Sequence, residues 1–217
     1  MRSPTLAERV HSSPDLRRRR GLARLICLLL ARLEVTGLDR IPADGPVVLA
    51  GNHQSLLDGV VLMAETSRPL SCLVKSEAFR GPIRPLLLSS GQIPVVRHTI
   101  NAAPVRVCVE VLRYGGVLGV FPEGTRGSGA VRHVKPGVGY LALRSGAVVV
   151  PIAFHGTPAM LRRRTLRRPV VRVVVGEPVP VARYPDRQPL NRRTVAATTE
   201  SIRVALAQLV AATGDQQ

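Results

Sequence analysis

The sequence predicts an α/β domain: a central, mostly parallel and buried sheet flanked by helices, with an N-terminal amphipathic helix ahead of it. Three observations carry this. Short apolar, β-branched runs recur along the chain, and stretches with helical spacing separate them. The runs are apolar throughout rather than alternating, as in strands covered on both faces. The 217 residues are 45% apolar, enough for one proper core, and no repeat or low-complexity linker divides them. The expected layout is a mobile start at 1–16, an amphipathic helix at 17–34 and one domain at 35–213.

In the helix, Leu22, Leu25, Ile26, Leu29, Leu30 and Leu33 follow i, i+3, i+4, i+7, i+8, i+11 and share one face. Arg17, Arg20 and Arg24 fall opposite. Such a helix can lie in a membrane interface, and a surface helix packed on a core shows the same stripe. The apolar stretch is interrupted by Arg24 and Arg32 and is too short to span a bilayer, which takes about 20 residues. No small-residue cleavage site follows, so it does not read as a signal peptide. Beyond it, Pro46–Ala50, Leu70–Val74, Ile93–Val96, Val117–Phe121, Ala147–Phe154 and Val170–Val175 read as strands. Leu56–Ala64, Val105–Leu112, Val138–Arg144 and Asn191–Ala212 read as helices, the last closing the domain through Val195, Ile202, Leu206, Leu209 and Val210. Pro82–Ser89 reads as a short helix that packs on the sheet or touches lipid.

Lys and Arg number 31 against 14 Asp and Glu, a net charge of +17, and only Lys75 and Lys135 are lysines. The chain should associate with anions: phospholipid head groups, nucleic acid or phosphorylated substrates. Aromatic residues are 3% and tryptophan is absent, which argues against base-stacking platforms. Cys27, Cys72 and Cys108 are odd in number and widely spaced, against a disulfide framework or a cysteine zinc site, and fit a reducing compartment. No metal-ligand cluster is expected. Arg162–Arg172 holds six arginines and no acid, and reads either as a lipid-facing loop or as a solvated one.

Two strand-end segments carry chemistry. In Asn52-His53-Gln54-Ser55-Leu56-Leu57-Asp58 a buried run gives way to a helix. Five residues along one helix separate two side chains by about 140°. His53 and Asp58 can therefore meet only if His53 sits in the turn and Asp58 in the first helical turn. An imidazole so held takes a proton from a hydroxyl while the carboxylate fixes its tautomer. A helix-capping arrangement has the same spacing. In Phe121-Pro122-Glu123-Gly124-Thr125-Arg126, Arg126 offers a planar fork for phosphate, and Glu123 can hold a ligand hydroxyl or brace the arginine. The plain alternative is a turn with an internal Glu123–Arg126 pair. Gly91-Gln92-Ile93-Pro94-Val95-Val96-Arg97 is a strand ending in arginine. In Val150-Pro151-Ile152, proline inside a strand indicates an edge, a bulge or a bend.

Taken in order, these segments resemble the glycerolipid acyltransferases, in particular the 1-acylglycerol-3-phosphate acyltransferases. NH-x4-D is matched by Asn52, His53 and Asp58, G-x-I-x-V-x-R from Gly91 to Arg97, FPEGTR at 121–126, and V-P-[IV] at 150–152. Lys135-Pro136-Gly137 matches a following K-x-G. Gly127 and Val134 depart from the serine and phenylalanine usual there, which leaves substrate preference more open than reaction type.

The resemblance implies transfer of an acyl group from acyl-CoA or acyl-carrier protein to a lysophospholipid hydroxyl, most simply that of 1-acylglycerol-3-phosphate. His53 would be the base and Asp58 its support. Arg97, Glu123, Gly124, Thr125, Arg126 and Lys135 would bind substrate, and Asn52, Gly91, Pro94, Pro122 and Pro151 would shape the motifs. No cofactor beyond the acyl donor is implied. An anionic membrane surface on the cytoplasmic side is the expected partner, and no specific nucleic acid. Another lysolipid or glycerol-3-phosphate as acceptor stays open, as does thioester hydrolysis. No G-x-S-x-G elbow and no G-x-x-x-x-G-K-[ST] loop is present, which disfavours serine hydrolases and nucleotide hydrolysis. The arginine, alanine and valine bias fits a GC-rich bacterial genome.

Overall fold

The computed structural model describes residues 15–96, 102–162, 168–185 and 188–214, with side chains from residue 19 onward. In chain order the elements are α1 (Asp15–Leu30), β1 (Arg32–Thr36), β2 (Val47–Gly51), α2 (Asp58–Glu65), β3 (Leu70–Lys75), α3 (Arg84–Ser89), β4 (Ile93–Val95), α4 (Ala102–Arg113), β5 (Val117–Val120), α5 (Gly137–Ser145), β6 (Val148–His155), β7 (Val170–Val175) and α6 (Arg192–Gly214). The seven strands form one sheet in the order β1-β7-β6-β2-β5-β3-β4. From β6 to β4 every pair is parallel, β7 runs antiparallel to β6, and β1 is parallel to β7. The predicted mostly parallel α/β sheet is therefore present.

Each face of the sheet is covered, which is why β2 is apolar along its whole length. Val47 and Leu49 pack with Val61, Ile152 and Phe154 under α1 and α2. Val48 and Ala50 pack with Val111, Leu118, Leu141 and Ile202 under α4, α5 and α6. By length and apolar composition α6 can cross a membrane. It packs against α5 and β6, burying Thr199, Ile202 and Leu206, and Glu200 and Arg203 pair on its surface at 2.7 Å.

Three sequence expectations need correction. The helix expected at 17–34 begins earlier and stops at Leu30, and residues 32–36 form a strand paired with β7. Leu33 and Val35 point to the core in strand alternation, and Leu33 also continues the helical stripe, so it serves both periods. The expected mobile start lies outside the described residues up to position 14, and α1 already begins at Asp15. Pro151 is not at an edge. It lies in β6 between β2 and β7, and the β7 ladder begins only at Ile152, so the missing N–H does not interrupt it. Pro94, by contrast, does sit on the edge strand, in β4. Gly91 turns the chain from α3 into β4, and the buried Gln92 beside it accepts the Cys72 N–H at 2.9 Å, tying β4 to β3.

The orientation of α1 is the reverse of an ordinary surface helix. Its buried residues are Ala23 and Cys27, followed by Ala31 just past its end, and Arg20 and Arg24 on the same side each donate from Nε to Ala64 O at 3.2 Å. Leu22, Leu25, Leu28 and Leu29 are exposed, the last two at 61% and 62%.

Candidate active site

The site lies where β2 and β5 end. β2 stops at Gly51 because Asn52 turns sideways and joins β6 with both ends of its amide. Its Oδ1 accepts the Phe154 N–H at 2.7 Å and its Nδ2 donates to Phe154 O at 3.1 Å. His53 follows in the turn, and Asp58 opens α2, the placement that the five-residue spacing requires. Their Nδ1 and Oδ2 are 2.8 Å apart. Asp58 Oδ2 also accepts the backbone N–H groups of Gln54 and Ser55, each at 2.8 Å. The carboxylate is fully buried and the imidazole is 13% exposed. An ionised carboxylate only accepts, so Nδ1 carries the hydrogen and Nε2 of the neutral ring is left with its lone pair. Asp58 also stands at a helix N-terminus, where the backbone dipoles favour negative charge. Its second oxygen, Oδ1, is buried without a hydrogen-bond partner among the described residues.

The second strand end closes over this turn. Glu123 Oε1 accepts the His53 backbone N–H at 2.9 Å, and Gly127 donates its N–H to His53 O at 3.0 Å. The internal Glu123–Arg126 pair does not form, and Glu123 holds the histidine's backbone instead. Gly124 takes φ +73°, and a Cβ there would lie 2.5 Å from Lys135 Cε, so the glycine lets the lysine stem cross the turn. The Lys135 N–H donates to Pro122 O at 2.8 Å. The loop bringing Lys135 back passes through Val131, which is buried at φ +52°, a conformation β-branched residues rarely adopt. Thr125, Arg126 and Lys135 are exposed beside the turn. Arg97 lies outside the described residues. A Cβ at Gly127 meets nothing within 4 Å, so the serine usual in the resembled family would fit there without rearrangement.

Sequence reading places Phe121 at a strand end and gives it no part in the site. Its ring stacks on His53, with centroids 4.3 Å apart and planes 21° from parallel, and Phe154 tilts against its other side at 6.2 Å. Gly51 makes room for this stack, since a Cβ there would lie 2.7 Å from Phe154 and 3.2 Å from Phe121. The β2–β5 register continues with Phe121 opposite Gly51, two residues before His53, a placement that only the strand order reveals.

All three thiols are buried, and burial is the main cause that pushes Cys27 up to about 11 and Cys72 and Cys108 each up to about 12. Among the described residues no three His, Cys, Asp or Glu side chains converge as metal ligands would.

The family model "Acyltransferase" matches residues 32–155, which span β1 to β6 and hold both strand-end turns. The chain belongs to the acyltransferase family. A relative from Borreliella burgdorferi, a 1-acyl-sn-glycerol-3-phosphate acyltransferase, is 34% identical over 138 residues, 61% of this chain and 55% of that protein. A protein of the same name from Bacillus subtilis is 25% identical over 188 residues, 86% of this chain and 92% of its own length. This acyltransferase chain spans about half the length of most of the curated relatives it matches. The crystal structure of the 1-acyl-sn-glycerophosphate (LPA) acyltransferase PlsC from Thermotoga maritima superposes with a TM-score of 0.65 at 20% identity, covering 94% of this chain and 86% of that one. At that identity the superposition speaks for the fold.

Proposed function

We propose that this acyltransferase moves an acyl group from a thioester donor, acyl-CoA or acyl-carrier protein, to the free hydroxyl of 1-acylglycerol-3-phosphate, giving phosphatidate. The observation that carries the reading is the His53–Asp58 contact at 2.8 Å, which leaves Nε2 as the free base. The names of the Borreliella and Bacillus relatives support the acceptor.

The chemistry follows from these atoms. His53 Nε2 takes the hydroxyl proton as the oxygen attacks the thioester carbonyl, and Asp58 stabilises the imidazolium. The tetrahedral adduct collapses by breaking the carbon–sulfur bond, and the imidazolium returns the proton to the departing thiolate. No acyl-enzyme is required, and thiols with pKa values of about 11 and 12 are poor nucleophiles near neutral pH. Phe121 limits rotation of the imidazole, and Glu123 fixes its backbone. Arg126 and Lys135 beside Gly124 and Thr125, with Arg97, would take the acceptor phosphate, where a guanidinium fork suits paired oxygens. The exposed leucines of α1 would rest in the lipid interface on the cytoplasmic side, where the enzyme would act as a peripheral protein.

The test is acyl transfer from oleoyl-CoA to oleoyl-lysophosphatidate in detergent micelles, with free CoA and phosphatidate both measured, for wild type and His53→Ala. Phosphatidate from wild type, lost in the variant, is expected. CoA release without phosphatidate would replace the reading with thioester hydrolysis or another acceptor, which a lysolipid panel including glycerol-3-phosphate separates.

A further inference from the structure

A cavity of about 730 Å³ opens between α1 and β1, at the sheet edge opposite β4. β1 stands three strand positions from β2, roughly 14 Å across the sheet, so this cavity is separate from the His53 turn. Leu28 and Leu33 give it apolar walls. Arg24, Arg32 and Arg168 line it, with Glu65 as the acid among its lining residues. Arg24 is held by Nε to Ala64 O, and its terminal nitrogens make no other bond among the described residues. Among the described residues the Arg32 side chain pairs only with Glu34, in an exposed contact at 3.6 Å of the kind that contributes little. Arg168 makes no ion pair among the described residues. Three guanidinium groups around one apolar recess repel one another, and an anion with an apolar body relieves that repulsion while filling the recess.

We infer that this groove binds the head group of an anionic phospholipid, with the glycerol and upper acyl carbons against Leu28 and Leu33. Two features commit it to lipid. Leu28 belongs both to the groove and to the exposed leucine face of α1, so the recess is continuous with the surface suited to lipid. The positive charge on its walls is complementary to a head group of net negative charge, whereas a zwitterionic head group adds to its phosphodiester a cation that those walls repel. The groove thus gives α1 head-group selectivity, which a leucine stripe alone lacks. This rests on the interfacial placement of α1 proposed above but not on the acyl-transfer reaction.

The experiment is vesicle flotation of the whole chain, without acyl donor, for wild type and Arg32→Ser/Arg168→Ser, using phosphatidylglycerol-rich and pure phosphatidylcholine vesicles. A basic residue near an anionic surface is worth on the order of fivefold in affinity, so the double variant should bind the anionic vesicles about thirtyfold more weakly. Both proteins should bind phosphatidylcholine weakly and equally, with matching circular dichroism and thermal midpoints. Unchanged binding of the variant to anionic vesicles overturns the inference, as does an equal loss on both vesicle types. Titration with glycerol phosphate distinguishes the sources of the anion. Saturable binding by wild type, absent in the variant and without vesicle preference, would make the groove a small-anion site. A wild-type dimer that the double variant dissociates, with flotation unchanged, would assign the surface to a second copy of the chain. Because no turnover is measured, a failed acyl-transfer assay leaves this result readable.

Discussion

The turn after β2 and the helix α1 are built on opposite plans. In the turn, polar groups point inward and are tied: Asp58 Oδ2 meets three donors, Asn52 bonds β6 twice, and both the N–H and the C=O of His53 have partners. On α1 Arg20 and Arg24 turn inward to a helix end while four leucines face out. Turn residues are fixed by other parts of the same chain. Among the described residues nothing covers the outer face of α1, and its composition makes sense against an apolar phase outside it. A spacing motif encodes a contact within the molecule, whereas a helical stripe encodes a boundary without saying which side of it is protein.

The largest effect that sharpens this comparison belongs to the turn. His53→Ala should lower kcat by about 10²- to 10⁴-fold, the usual contribution of a general base, with the fold intact by circular dichroism. A variant that retains wild-type turnover would reduce the turn to a structural cap. Next comes α1. Leu25→Ser/Leu29→Ser should cut vesicle affinity by at least about a hundredfold, since each buried leucine is worth roughly 1.5–3 kcal/mol, while the thermal midpoint barely moves. Ala23→Leu on the inner face should do the reverse, costing about 1–3 kcal/mol of stability through overpacking. If the leucine pair lowers the midpoint as Ala23→Leu does, the outer face is protein core and the contrast collapses.

A smaller effect is expected at Phe121. Ring stacking is worth about 0.5–1.5 kcal/mol, so Phe121→Leu should reduce kcat by up to roughly tenfold with KM little changed. Phe121→Tyr should restore the rate if its ring is what holds the imidazole, and should not if only packing volume matters. The smallest effect should be none at all: iodoacetamide near neutral pH should neither label nor inhibit the folded protein, because burial holds the three thiols at about 11 and 12. Rapid labelling with loss of activity would reopen a covalent route.

Legibility followed the same division. The sheet was readable because strands covered on both faces are apolar runs, and β2, β5 and β6 announce themselves that way. The His53–Asp58 contact was partly readable: its spacing allows one arrangement in which the two side chains meet, but a helix cap has the same spacing. β1 was hidden because Leu33 satisfies the helical and the strand period at once, and because its partner, β7, lies far along the chain. The Phe121 stack was hidden because it depends on strand order, which no local window contains. Glu123 was half legible: its charge marked it as used, but its partner is a backbone N–H that sequence does not display.

The register Arg32↔Val170 has a consequence in time. During synthesis α1 and β1 are made ahead of the rest of the sheet, yet β1 meets its sheet neighbour only after roughly 140 more residues, on the order of ten seconds or more of translation. Through that interval the chain presents an amphipathic arginine–leucine segment with no sheet edge to join. A bilayer encountered then would take up the leucine face before the last strand arrives, so that the final docking of β7 would be completed at the lipid surface.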